Sequence, residues 1–309
     1  MITQQSLPTP KGTIDQEPRD VPPFDRCLGQ EGQSPSIPER SGAKFPTFDM
    51  LSIRVQAITV HDLLAIISEA VVNEAKYVVT NLNMHSLYEL HREREMRDHH
   101  IRADFTHLDG LPLIPLLRLF GVRLKHENRI AYVEFLPLLA AEAAKRQGWR
   151  IYYLGSEPGV VEKGASRLRE RHPGLQLRTH HGHFDTHGAE NEAVLSDIRA
   201  YAPHVLMVGM GMPRQEIWVN ENLDHIAART IFSCCGCTMD YIAGKTPSCP
   251  RWLANSGFEW LYRLLAEPTR LWRRYLVEPW FVLVQLGSAY FRLGRTFDAS
   301  GSILEERNE

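Results

Sequence analysis

The feature that most narrows the fold is a repeated change of hydrophobic period. Between residues 48 and 250, short apolar runs rich in β-branched and aromatic residues alternate with longer stretches whose apolar positions recur at helical spacing. Five runs read as strands: 77–80, 150–154, 175–178, 204–208 and 230–233. Short strands separated by helical stretches are the mark of βαβ units around a mostly parallel sheet. Two of the helices have readable ends. The stretch 135–147 is rich in Ala and Leu, and 158–172 starts on Pro-Gly and stops before Pro173-Gly174, as proline's fixed φ and glycine's freedom favour. The expectation is an α/β fold with a mostly parallel sheet flanked by helices.

The flanks differ from this middle. Residues 1–46 hold eight of the 19 prolines, with much Gln, Ser, Glu and Gly; such a mixture buries too little surface to offset chain entropy, so a disordered tail is expected. Residues 47–250 are read as the domain that carries the chemistry and 251–309 as an appendage. Between 258 and 295, six arginines (Arg263, Arg270, Arg273, Arg274, Arg292, Arg295) stand against three glutamates, interleaved with Trp260, Tyr262, Trp272, Tyr275, Trp280 and Phe281. Such a segment can lie on a membrane, aromatic rings at headgroup depth and arginines against anionic lipid. An amphipathic helix packed as ordinary domain surface is the alternative. No run of about 18 apolar residues occurs, and residues 1–20 lack a signal-peptide pattern, so a cytoplasmic, membrane-surface location is expected rather than a spanning one. The formal net charge is −2, which speaks against a global grip on nucleic acid. Five cysteines without framework spacing, Cys27, Cys234, Cys235, Cys237 and Cys249, fit reduced thiols better than disulfides.

In open α/β sheets ligands sit at the carboxyl ends of the strands, so the polar residues after each strand are the candidates. After the first run come Thr80, Asn81 and Asn83; Asn both donates and accepts hydrogen bonds, suiting sugar hydroxyls, and equally suits a helix cap. Asp109 precedes Gly110 and an apolar stretch, as a general base or as a common Asp-Gly turn. Gly155 opens a strand–turn–helix step able to offer bare amides to a phosphate. Gly209-Met210-Gly211-Met212-Pro213-Arg214 supplies two of the three glycines of a dinucleotide fingerprint; Arg214 and Gln215 beyond it could meet a diphosphate or base edge, or Arg214 and Glu216 could be solvated on a first helical turn. Cys234, Cys235, Cys237 and the His180-His181-Gly182-His183 group lack the ligand count and spacing of a metal site, so neither metal nor cofactor is expected.

Taken in order, the motifs Thr-Asn-Leu-Asn-Met-His, Ala-Asp and Asp-Gly with four residues between them, Tyr-Leu-Gly-Ser-x-Pro-Gly-Val, Gly-Met-Gly-Met-Pro-Arg-Gln-Glu-x-Trp, Met-Asp-Tyr-Ile-Ala-Gly, and Pro-Arg-Trp-Leu through Arg-Leu-Trp-Arg-Arg-Tyr resemble the WecG/TagA/CpsF glycosyltransferases, family 26. The resemblance spans roughly 48–285. It implies a Rossmann-like α/β fold, a mostly parallel sheet flanked by helices with a helical C-terminal appendage, and an inverting, metal-independent transferase moving a sugar from a UDP-sugar, of the N-acetylmannosamine, uronic acid or glucose type, to a polyprenyl-diphosphate-linked acceptor in exopolysaccharide or other cell-surface polysaccharide assembly. It assigns Asp109 as catalytic base and places Asn83 against the sugar. Thr80 or Asn81 fills the family's Thr position, depending on the residue used for alignment. Arg129 matches the arginine of Arg-Val-Thr-Gly-x-Asp, although Ala131, Tyr132 and Glu134 replace Thr, Gly and Asp. Gly155, Arg214, Gln215 and Asp240 would surround the nucleotide; Arg263, Arg270, Arg273 and Arg274 would neutralise the departing diphosphate. The resemblance also suggests self-association and membrane docking of the C-terminal segment, and it favours a core role for Cys234 and Cys237. Two other classes compete: a nicotinamide-dependent oxidoreductase, disfavoured by the missing third glycine, and a non-catalytic membrane adaptor.

Overall fold

The computed structural model describes residues 45–293, except 52, 111, 120, 147, 234, 248, 251, 252 and 254–257. All of these belong to one unit, 39–309; the expected disordered tail lies outside the described residues apart from Phe45 and Pro46. The chain enters through a hairpin, β1 (Thr47–Met50) and β2 (Ile53–Gln56). Six further strands make one sheet: β3 (Tyr77–Leu82), β4 (Phe105–Leu108), β5 (Arg150–Gly155), β6 (Gln176–His180), β7 (Val205–Gly209) and β8 (Thr230–Phe232). Their order is β4-β3-β8-β7-β5-β6, with every neighbouring pair parallel. The fold is therefore the expected Rossmann-like α/β sheet.

A parallel sheet needs crossover helices on both faces, so its strands bury both sets of side chains. The two faces separate at period two. Val79, Ile151, Tyr153, Val205, Met207 and Phe232 pack against α1 (Val60–Val72), α5 (Tyr132–Lys145) and α6 (Val160–Arg171). Val78, Tyr152, Leu154, Leu206, Val208 and Ile231 pack against α7 (Gly188–Tyr201) and α8 (Arg214–Asn222). Each fully buried leucine or valine of this kind stabilises the fold by about 1.5–3 kcal/mol. Helix starts are set locally: at α1, Thr59 and Asp62 cap each other's backbone amides.

All five expected strands are present, with no end shifted by more than two residues. The strand β4 and the hairpin were not expected. In β4 the sequence Phe-Thr-His-Leu carries two polar residues, yet all four positions are buried. His107 is accommodated there because its Nε2 bonds the Tyr132 hydroxyl at 2.8 Å, and burial pushes its pKa down to about 4. Helix α5 begins at Tyr132, three residues before the expected start, and continues through Pro137. Its buried Phe135, Leu136, Leu139 and Ala140 offset the amide that proline removes.

Between β3 and β4 run α2 (Met84–Arg92) and α3 (Arg94–Arg102), and α4 (Leu113–Leu119) follows β4. After β8 come α9 (Thr238–Ile242), α10 (Glu259–Ala266), α11 (Pro268–Leu276) and α12 (Glu278–Leu293). The appendage is anchored by α12. Its Val282 and Leu286 are buried with Leu87 and Leu90 of α2 and with Phe48 and Val55 of the hairpin. Phe281 stands edge-on to Tyr88 and His91, and Glu278 meets His85 Nδ1 at 2.8 Å. Among the described residues no helix is long and apolar enough to cross a membrane.

Candidate active site

The turns after all six parallel strands open into one cavity of about 700 Å³, walled on its remaining side by α10, α11 and the start of α12. That volume suits a small molecule. Its floor is backbone. A Cβ on Gly155 would stand 2.2 Å from Gly209 O, and one on Gly209 would stand 2.4 Å from Tyr153 Oη and 2.6 Å from Gly236 O. Only glycine lets the ends of β5, β7 and the turn after β8 approach this closely. The Tyr153 hydroxyl donates to Gly236 O at 3.2 Å beneath the floor, and burial drives its pKa far up, so it stays a neutral donor.

At one end of the cavity stands Asp109, directly after β4. Its backbone amide donates to Leu82 O at 2.9 Å, and Asn81 Nδ2 donates to its Oδ2 at 3.3 Å. Asn83 Nδ2 reaches Asn81 Oδ1 at 3.5 Å. The Asn83 oxygen accepts the amides of His85 and Ser86, both at 3.0 Å, capping α2. Asn83 thus fills the capping alternative while lining the cavity. Arg129 lies beside Asp109, because Leu108 and Arg129 form a parallel bridge and Ile130 N donates to Leu108 O. Its guanidinium is 3.7 Å from Glu134. Ala131, Tyr132 and Val133 continue the wall.

The other end is built by the turns after β5, β7 and β8. Asp240 accepts from the Ser156 hydroxyl, and Ser156 holds a positive φ of 64°, uncommon for any residue but glycine. Lys245 closes the rim on Glu157 at 2.6 Å and holds that carboxyl below its ordinary pKa. Arg214 donates to Phe184 O at 2.6 Å and lies over the Phe184 ring. Gln215 is fully buried, and its Oε1 accepts from Gly211 N at 3.1 Å and Gly236 N at 3.3 Å. Glu216, weighed above as a solvated residue, has no exposed surface.

Several sequence candidates stand away from the wall. Thr80 is buried in β3, its hydroxyl without a hydrogen-bond partner among the described residues; Asn81 reaches the cavity only through Asp109 and Asn83. Gly155 lies under the floor, Arg273 is exposed on α11, and the side chain of Arg270 lies outside the described residues. Arg263 and Arg274 do line the cavity, Arg263 over the Tyr241 ring at 5.1 Å. Of the cysteines, Cys235 is buried but Cys237 is exposed on the cavity wall at the start of α9, not in the core; Cys234 lies outside the described residues. His183 also faces the cavity. Among the described residues no three His, Cys, Asp or Glu side chains are grouped as metal ligands.

Sequence reasoning missed Trp260 and Tyr275, which pack with centroids 6.3 Å apart and line the cavity. It grouped them with the membrane-facing aromatics. The spacing within α11 separates them: Leu271 is buried and Arg274 and Tyr275 line the cavity, whereas Trp272 and Leu276 are exposed.

Compared with known proteins, residues 48–295 match the model of the glycosyl transferase WecG/TagA/CpsF family. The chain belongs to that family. Among curated relatives, the N-acetylglucosaminyldiphosphoundecaprenol N-acetyl-beta-D-mannosaminyltransferase of Bacillus subtilis (strain 168) is 26% identical over 210 residues, 68% of this chain and 78% of the relative. The enzyme of the same name from Bacillus spizizenii is 27% identical over 184 residues, 60% of this chain and 68% of the relative. This chain is therefore a glycosyltransferase, and the oxidoreductase and adaptor readings fall away.

Proposed function

We propose that this glycosyltransferase moves a hexose, with inversion, from a UDP-sugar to a polyprenyl-diphosphate-linked acceptor in cell-surface polysaccharide synthesis. The carrying observation is the polarity of the cavity: the Asp109 carboxylate, bonded to Asn81, stands at one end and faces across it to a glycine-floored end. The names of the Bacillus relatives support N-acetylmannosamine as the first sugar to test and a diphosphoundecaprenol-linked N-acetylglucosamine as the first acceptor.

In this reading the Asp109 carboxylate takes the proton of the acceptor hydroxyl as that oxygen bonds the anomeric carbon. The bond from that carbon to the UDP oxygen breaks on the opposite face, and its electron pair leaves with the diphosphate. Asn81 orients Asp109 by the bond to Oδ2. Arg263 and Arg274 on the wall supply positive charge where the diphosphate departs, which lowers the barrier most where water is excluded. Arg129 beside Asp109 is placed to hold the sugar or acceptor.

We further propose that the C-terminal helices dock on a membrane. Leu265, Trp272, Leu276, Trp280 and Val284 are exposed, Leu265 by 74% and Trp280 by 69%. Apolar and aromatic groups on helices also carrying arginines suit an anionic bilayer surface, not a spanning position. The test is transfer of labelled sugar from a panel of UDP-sugars to the lipid-linked acceptor in vesicles. Product with an inverted anomeric centre is expected; absence of transfer from every UDP-sugar, with no UDP binding by calorimetry, refutes the reading.

A further inference from the structure

The wall that α10 and α11 give the cavity carries two aromatic rings that the proposed reaction does not use. Trp260 stands one turn before Arg263 on α10, and Tyr275 follows Arg274 on α11; all four line the cavity. The two rings meet with centroids 6.3 Å apart and planes inclined at 57°. Inclined in this way they do not close face to face on each other. The pair also has a definite place along the cavity. On one side, Arg263 lies over the ring of Tyr241, the residue after Asp240. On the other, α11 runs into α12, whose Glu278 meets His85 at 2.8 Å and whose Pro279 lines the cavity together with His85, Asn83 and Asp109. Trp260 and Tyr275 therefore stand between the glycine-floored end and the Asp109 end.

A hexopyranose ring is amphipathic: hydroxyls rim its edge, and its axial C–H bonds make an apolar face. Asp109, Asn83 and Arg129 offer polar partners to the edge. An aromatic ring gives the C–H face a partner as it leaves water. We infer that Trp260 and Tyr275 form a sugar-binding platform that packs against the apolar face of the acceptor saccharide. This rests on the reading of the cavity as a transferase site for a lipid-linked acceptor. The acceptor sugar, rather than the donor sugar, is assigned because of what the same helices carry on their outer side: Leu265 of α10 and Trp272 and Leu276 of α11 are exposed. A substrate tethered to a lipid surface under those residues meets the α10 and α11 wall first, whereas a UDP-sugar arrives from water.

The test uses full-length protein and two probes: the acceptor proposed above on a short prenyl chain, and the same prenyl diphosphate without its sugar, as a competitive inhibitor. Trp260→Leu and Tyr275→Leu each remove a ring and stay apolar, while Trp260→Phe and Tyr275→Phe keep one. Each Leu variant should raise the acceptor KM about tenfold, the size of one good aromatic contact, with kcat nearly unchanged and UDP-sugar affinity by calorimetry level. Both Phe variants should stay near wild type, and the sugar-free inhibitor should bind wild type and variants alike. A level acceptor KM in both Leu variants overturns the inference. An equal weakening of the sugar-free inhibitor does so too, by putting the lipid or the diphosphate on the rings. Weakened UDP-sugar affinity, alone or together with the acceptor KM, assigns the rings to the donor sugar or to structure and equally refutes it. If Trp260→Leu does not melt cooperatively, Tyr275→Leu on the half-buried face of α11 decides the matter. Wild-type protein that transfers no sugar and binds no UDP overturns the functional reading itself, and the platform with it.

Discussion

Replacing Glu216 by Gln should change how stability depends on pH, in a direction opposite to the usual cost of losing a carboxylate. In the native protein the carboxyl keeps its proton up to about pH 8, against an ordinary value of 4.5. Between those values the unfolded chain releases a proton that the folded chain retains. Unfolding then releases protons, so this group's contribution to stability is complete below about pH 4.5 and drains away as pH rises to 8. At 1.36 kcal/mol per pKa unit, the loss across pH 5 to 8 comes to about 3 kcal/mol. Gln is nearly isosteric, keeps an oxygen for Gln215 Nε2, and does not titrate. The wild type should therefore lose about 3 kcal/mol more than Glu216→Gln between pH 5 and pH 8. Urea unfolding at half-unit pH intervals, followed by tryptophan fluorescence, measures both curves. Parallel curves for the two proteins would show that Glu216 ionises normally and refute the reasoning, whatever the absolute stability of the variant.

Other outcomes follow from the same geometry. Asp109→Asn should lower transfer by about 10²- to 10⁴-fold, the usual range for a lost general base, with UDP affinity by calorimetry nearly unchanged; ordinary turnover would remove Asp109 from the reaction. Gly209→Ala sets a methyl 2.6 Å from the backbone oxygen of Gly236, so a loss of about 1–3 kcal/mol is expected in a melting experiment, together with weakened UDP binding. Paired substitution of Trp280 and Leu276 by Glu should reduce co-sedimentation with anionic vesicles while leaving UDP binding intact. Equal sedimentation would assign this surface to something other than lipid.

The fold was legible where hydrophobic period and punctuation agree. The strands at 150–155 and 205–209 are buried on both faces and read as continuous apolar runs; α6 is bracketed by Pro158-Gly159 and Pro173-Gly174. Strand β4 was hidden because a histidine and a threonine look like loop chemistry until tertiary partners are in place: the Tyr132 hydroxyl pairs with the His107 ring, and Gln56 Oε1 accepts the Thr106 backbone amide. Asp109 was visible as a residue at the end of a motif. Its dependence on Asn81 was not, since that contact joins adjacent parallel strands 28 residues apart. Glu216 shows the same limit: a carboxylate in the first turn of a helix is ordinarily solvated and favoured by the helix dipole, and only tertiary packing around α8 removes it from water.

The glycine floor has an evolutionary consequence. A binding surface made of main chain has no side chains to exchange, and mutation can alter it only by adding bulk where Gly155 and Gly209 leave no room. New substrate preferences in such an enzyme must therefore be written elsewhere, in the segment from Arg129 to Val133 beside Asp109 and in the wall of Trp260 and Tyr275. On the proposed reading, the part that grips what all donors share is frozen, and the parts that meet what distinguishes them are free to drift.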